Sequence, residues 1–90
     1  MTAYNLRYVL ESLHRYKRGA RPVMVSVTRK RGTSDFSFCD PLFGDSVLRG
    51  DAADLLVALG WCQIQALDAY TEYLSTTEAG RAVIKDGHTQ

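Results

Sequence analysis

Glycine or proline interrupts the chain at residues 19, 22, 32, 41, 50 and 60, and between these breaks the apolar spacing changes period. Short helices must therefore alternate with short strands, because a 3.6-residue stripe and a two-residue alternation cannot share one element. Residues 4–18 carry Leu6, Val9, Leu10, Leu13 and Tyr16 at helical spacing. This predicts an amphipathic helix that Thr2 or Asn5 caps and Gly19 and Pro22 end. On its wheel Tyr4, Tyr8 and Arg15 fall opposite the apolar stripe, and His14 reads as a solvated flank residue.

Val23, Val25 and Val27 alternate with Met24, Ser26 and Thr28, and Phe36 and Phe38 alternate with Ser37 and Cys39. β-Branched alternation predicts a hairpin of strands 22–28 and 35–39 with a basic tip, Arg29-Lys30-Arg31; a helix over 23–31 fits less well. Asp40-Pro41 opens a new segment, read as a short helix over 42–49. A clearer helix follows over 51–59, with Asp51 as its N-cap, and Leu48 would let the two be one helix with a glycine inside. Ala52, Leu55, Leu56 and Leu59 form its stripe, and Gly60 ends it with Trp61 packing back. Residues 62–66 and 70–75 alternate as two strands joined at Asp68-Ala69. A last helix starts from Thr76-Thr77-Glu78, with Thr76 as its cap. The expected core joins Leu10, Leu13, Leu55, Leu56, Leu59, Trp61 and Ile64.

The 90 residues suit one α+β domain over 1–85, with a flexible tail at 86–90. No apolar run is long enough to cross a bilayer, and Met1 to Asn5 do not begin a signal peptide, so the expected location is cytoplasmic. Cys39 and Cys62 lack zinc-ligand spacing and read as two thiols, with a single disulfide as the alternative. No nucleophile–base–orienter set, phosphate loop or metal spacing stands out. The expectation is a non-enzyme with no cofactor, metal, membrane or small-molecule partner.

The net charge of +1 hides a polarity. Residues 1–31 hold eight basic side chains and one acid, a net +7. Residues 32–90 hold three basic side chains and nine acids, a net −6. Such asymmetry points to a charged partner, unless the two halves neutralise each other on folding. Two surfaces can be proposed. One is basic: Arg15, Arg18, Arg29, Lys30 and Arg31, with Tyr4 and Tyr8 as aromatic neighbours. The other is acidic: Asp51, Asp54, Asp68 and Glu72.

The series Leu59, Gly60, Trp61, Tyr73, Thr76, Thr77, Glu78, Gly80 and Arg81 resembles the winged-helix domain of prokaryotic transcription regulators, over residues 51–84. The resemblance implies a winged-helix-like fold: helix, hairpin, one or two helices, a two-stranded wing and a last helix. It also implies DNA binding through the helix at 51–59. That helix holds two acids and no base, which suits neither base edges nor phosphates. The reading ranked first is a regulatory binding protein that docks on a protein or nucleoprotein complex. Its type is the phage or mobile-element inhibitor of host machinery, anti-CRISPR-like. The alternative is a DNA-binding regulator that uses the basic helix and hairpin.

Overall fold

The computed structural model describes residues 5–87, with side chains to Lys85. Tyr4, Thr2 and residues 88–90 lie outside the described residues. The fold is α+β. The elements are α1 (Leu6–Ser12), β1 (Tyr16–Arg18), β2 (Arg21–Val23), β3 (Val27–Lys30), β4 (Phe36–Asp40), β5 (Gly44–Leu48), α2 (Gly50–Ala58), β6 (Cys62–Ala66), β7 (Thr71–Thr76) and α3 (Glu78–Gly87). β1 and β2 form a separate two-stranded hairpin. The other five strands form an antiparallel sheet of order β5-β4-β3-β7-β6.

The sheet buries one face. Val27, Phe36, Leu48, Cys62 and Leu74 meet Leu10, Leu13, Ala52, Ala53, Leu56 and Ile84 from the three helices in one cluster. Register places Thr28, Ser37, Val47, Gln65 and Tyr73 on the opposite face, because neighbouring residues of a strand point to opposite sides. The helix residues of the core all join the first face. Of the expected core, Leu10, Leu13 and Leu56 are fully buried and Trp61 and Ile64 are half-buried against it. Leu55 and Leu59 stay 44% and 48% exposed.

The structure departs from the sequence expectations at several points. The first helix ends near residue 13 rather than 18. The His14 imidazole bonds back to the Leu10 carbonyl (2.8 Å), and the Leu13 carbonyl accepts from Val25 N–H (3.0 Å), so the helical ladder stops. Tyr16 to Arg18 then pair with Arg21 to Val23. Gly19 has φ +66°, and no other residue at this turn has positive φ. That is the pattern of a two-residue II′ hairpin turn, and Pro22 sits where no helix could hold it. The expected strand 22–28 is correspondingly split, with Met24 to Ser26 between β2 and β3.

The expected helix over 42–49 is instead the strand β5. Asp40 accepts from Leu42 N–H (2.8 Å) and Phe43 N–H (3.4 Å), which folds residues 40–43 into a turn and sends β5 back along β4. Finally, the helix caps move. Asp51 is not the N-cap of α2: Asp35, from the β3–β4 loop, accepts from Gly50 N–H (2.9 Å), while Asp51 accepts from Ala52 N–H (2.9 Å). Thr77, not Thr76, accepts from Gly80 N–H (3.2 Å) at the start of α3.

The end of α2 follows expectation: Gly60 has φ +78° and Trp61 N–H reaches back to the Leu56 carbonyl (3.1 Å). The order α2, β6, β7, α3 is also as expected. However, β7 pairs onward with β3, so the two strands belong to the large sheet rather than standing alone as a wing. Gly80 packs its backbone on Trp61, so close that a Cβ there would clash with the Trp61 carbonyl oxygen.

Candidate polyanion-binding surface

The β1–β2 hairpin presents Lys17, Arg18 and Arg21, all exposed. On α3, Arg81 and Lys85 are four residues apart, which puts them on one helix face. The two elements flank a cleft of about 610 Å³ that Lys17, Arg21, Arg81 and Lys85 line with His14 at its wall. A second groove of about 620 Å³ adjoins it. Arg18, Arg21 and Arg81 line this one, together with the β2–β3 connection and the open face of β3 and β7. Among the described residues neither is lined by an acid. None of these five cations makes an ion pair among the described residues; the pairs are Arg7–Glu11, Arg15–Asp40, Arg29–Glu72 and Arg49–Asp51. Arg81 donates to the Thr76 carbonyl (3.0 Å), which holds its guanidinium at the end of β7.

His14, read from sequence as solvated, is buried at 6% exposure. A carbonyl only accepts, so Nδ1 carries the proton to Leu10 O (2.8 Å). Nε2 then accepts from the Thr76 hydroxyl at 2.7 Å. Burial lowers the imidazole's pKa, the Leu10 bond opposes this and the nearby Arg81 charge adds to the lowering. The ring is a neutral strut between α1 and β7. Cys62 is likewise inert: burial pushes its thiol up to about 12. Cys39 and Cys62 are both free, the former exposed.

The expected basic surface does not assemble as one patch. Arg15 forms an ion pair with buried Asp40 (2.6 Å), donates to the Tyr8 hydroxyl (3.3 Å) and lies 5.0 Å from the Phe43 ring centroid. Arg29 pairs with Glu72 (3.1 Å), donates to Ser34 O (2.9 Å) and covers the Phe36 ring at 4.4 Å. Both are therefore structural cations. Arg18 lies on the hairpin that precedes β3, whereas Lys30 and Arg31 leave the far end of β3, where Arg31 N–H bonds Tyr70 O (2.9 Å). Tyr8 is 58% exposed.

The acidic set is equally divided. Glu72 serves Arg29, and Asp51 lies 3.5 Å from Arg49. Asp68 accepts from Tyr70 and Thr71 N–H, each at 2.8 Å, in the β6–β7 turn. Those bonds, with the Arg31 charge, hold its carboxyl below its usual range. Asp54 is exposed on α2.

Sequence reasoning missed Lys17, Arg21, Arg81 and Lys85. The helical spacing of 4–18 puts Lys17 at a helix end and leaves Arg21 in the connecting segment before Pro22. For Arg81 and Lys85 the sequence signal is their i, i+4 spacing on the last helix. No helix among the described residues is long and apolar enough to cross a membrane. No known family model, characterised protein or solved structure matches the chain.

Proposed function

We propose that the chain is a non-enzymatic regulatory binding protein that docks on a nucleoprotein complex, with the β1–β2 hairpin and α3 contacting phosphates. One observation carries this reading: five cations without ion partners converge on two adjoining clefts that no acid lines among the described residues. Phosphates supply the complementary charge, and cations left free by the fold are those able to release counterions on binding. The non-enzymatic part rests on His14 and Cys62. The imidazole has both nitrogens engaged and the thiol is buried and protonated, so neither is a free base or nucleophile. In type, this is the behaviour of small phage or mobile-element inhibitors of host nucleoprotein machinery, the anti-CRISPR-like proteins among them. The winged-helix likeness enters only as the local arrangement of α2, β6, β7 and α3; α2 and the β6–β7 turn contribute acids, not cations, to any contact.

The test is fluorescence anisotropy with a labelled DNA of mixed sequence, single-stranded and duplex, against salt. Three phosphate contacts predict a log–log slope of about −2 to −3. Lys17→Ser/Arg18→Ser/Arg21→Ser should abolish most of the binding and flatten the slope without lowering the melting temperature. Salt-insensitive binding, no binding to either probe, or a triple variant that binds like the parent would overturn the reading. Loss of binding in an Asp51→Ser/Asp54→Ser/Asp68→Ser variant alone would shift the contact to the acidic residues.

A further inference from the structure

We infer that the groove between the β1–β2 hairpin and the open face of β3 and β7 takes a single-stranded nucleic acid, a step that rests on the polyanion reading above. Cross-strand partners share a face. Pairing of Tyr16 with Val23 and of Arg18 with Arg21 thus puts all four on one side of the hairpin. Arg18, Arg21 and Val23 line the groove, so this is the side that looks into it; Tyr16, on the same side, is 59% exposed. The other wall is the sheet face that carries no helix. There Thr28, Tyr73 and Ser75 offer hydroxyls and one aromatic ring. Tyr73 donates to Gln65 Oε1 (2.7 Å) and Ser75 donates to the same atom (3.3 Å), so the ring is held in place before any ligand arrives.

Arg18 and Arg21 on the hairpin wall, Arg81 at the end of β7, and aromatic and hydroxyl groups on the sheet face match a strand whose backbone and bases are separately accessible. Single-strand sites combine a cationic track with aromatic faces on which bases stack. A duplex keeps its base faces stacked inside, so it could use Arg18, Arg21 and Arg81 but not Tyr73. An acidic peptide would use the cations yet gain little from a stacking ring.

Anisotropy on the full chain with labelled oligo-dT, a duplex of equal length and an oligo-Glu peptide decides among these. Oligo-dT should bind at least tenfold tighter than the other two. Tyr73→Leu should weaken oligo-dT about tenfold and leave duplex binding unchanged, whereas Tyr73→Phe, which keeps the ring, should stay within about twofold. Arg18→Ser/Arg21→Ser, at exposed positions and with the melting temperature as a folding control, should weaken binding of both nucleic acids. Equal or tighter duplex binding, preference for oligo-Glu, or a Tyr73→Leu variant with unchanged oligo-dT affinity overturns the single-strand inference. In the duplex-preferring case the polyanion reading survives; if neither nucleic acid binds, both fail.

Discussion

At the scale of single residues, Arg15 and His14 tie the N-terminal part to distant segments, the first through Asp40 and the second through Thr76. Arg15 is the clearer case. Its partner Asp40 is 4% exposed and also turns the chain into β5, so removing the guanidinium leaves a buried carboxylate without its counter-charge. Arg15→Ala should cost about 2–3 kcal/mol, at or just below the lower end of what breaking a fully buried pair costs, because Arg15 itself is partly exposed. In a domain this size that is roughly 10–20 °C of melting temperature. Arg18→Ala should stay within about 0.5 kcal/mol. Equal effects in thermal melts would show that Arg15 is a surface cation after all. His14 gives a pH test. Its folded pKa lies below the unfolded value of 6.5, so the unfolded chain binds more protons as pH falls. The stabilisation is complete above about pH 6.5 and drains away on acidification through the lowered folded value. His14→Gln should be less stable than the parent at pH 8 but lose less stability between pH 7.5 and 5. None of this is readable from a lone His or Arg in a helical pattern, because the partners, Thr76 and Asp40, are distant in sequence.

Among the elements, those with strong local signals were legible: α2 with its glycine stop, β6 and β7, α3, and the β3–β4 hairpin save that Arg29 and Lys30, expected in its tip, lie within β3. The β1–β2 hairpin and β5 were not, for a shared physical reason. Each is a short segment whose start is set by a contact made elsewhere, His14 on Leu10 and Thr76 for the first and the Asp40 carboxylate for the second. Helical spacing in 4–18 is real up to Leu13, and Tyr16 extends it by coincidence of phase. The candidate site was half legible. Its cationic composition was plain, but its members depend on which cations the acids of the C-terminal part leave free. The hairpin's own stability hangs on its turn. Gly19 has positive φ, and an added Cβ meets no atom within 4 Å, so a substitution there is strained by backbone geometry alone. Gly19→Val should destabilise by about 1–2 kcal/mol. It should also weaken nucleic-acid binding more than a charge-neutral change deserves, because Arg18 and Arg21 lose their register. Unchanged amide exchange at residues 16–23 in Gly19→Val would contradict the turn assignment.

For the molecule as a whole, the +7 and −6 segments neutralise each other only in part: of the ion pairs among the described residues, Arg15–Asp40 and Arg29–Glu72 join one segment to the other. Arg15 and Arg29 are taken up by Asp40 and Glu72, and the cations without an ion pair among the described residues are the five of the β1–β2 hairpin and α3 together with Lys30 and Arg31 at the far end of β3. Three helices cover one face of the sheet, and α2 contributes Ala52, Ala53 and Leu56 to that packing. Leu56 is fully buried among Leu10, Leu13, Leu74 and Ile84, whereas Leu55, its neighbour on the sequence-derived stripe, is 44% exposed. The two leucines have the same transfer energy, so any difference between their alanine variants measures burial and the cavity left behind. Leu56→Ala should lose about 2–5 kcal/mol, with a drop in melting temperature of more than about 10 °C. Leu55→Ala should lose less than about 1 kcal/mol, since its side chain is nearly half in water in the folded state. Matched losses in denaturant titrations of the two variants would mean that α2 is rotated from its described position, and that the helices do not cover the sheet in the way the five-stranded core requires.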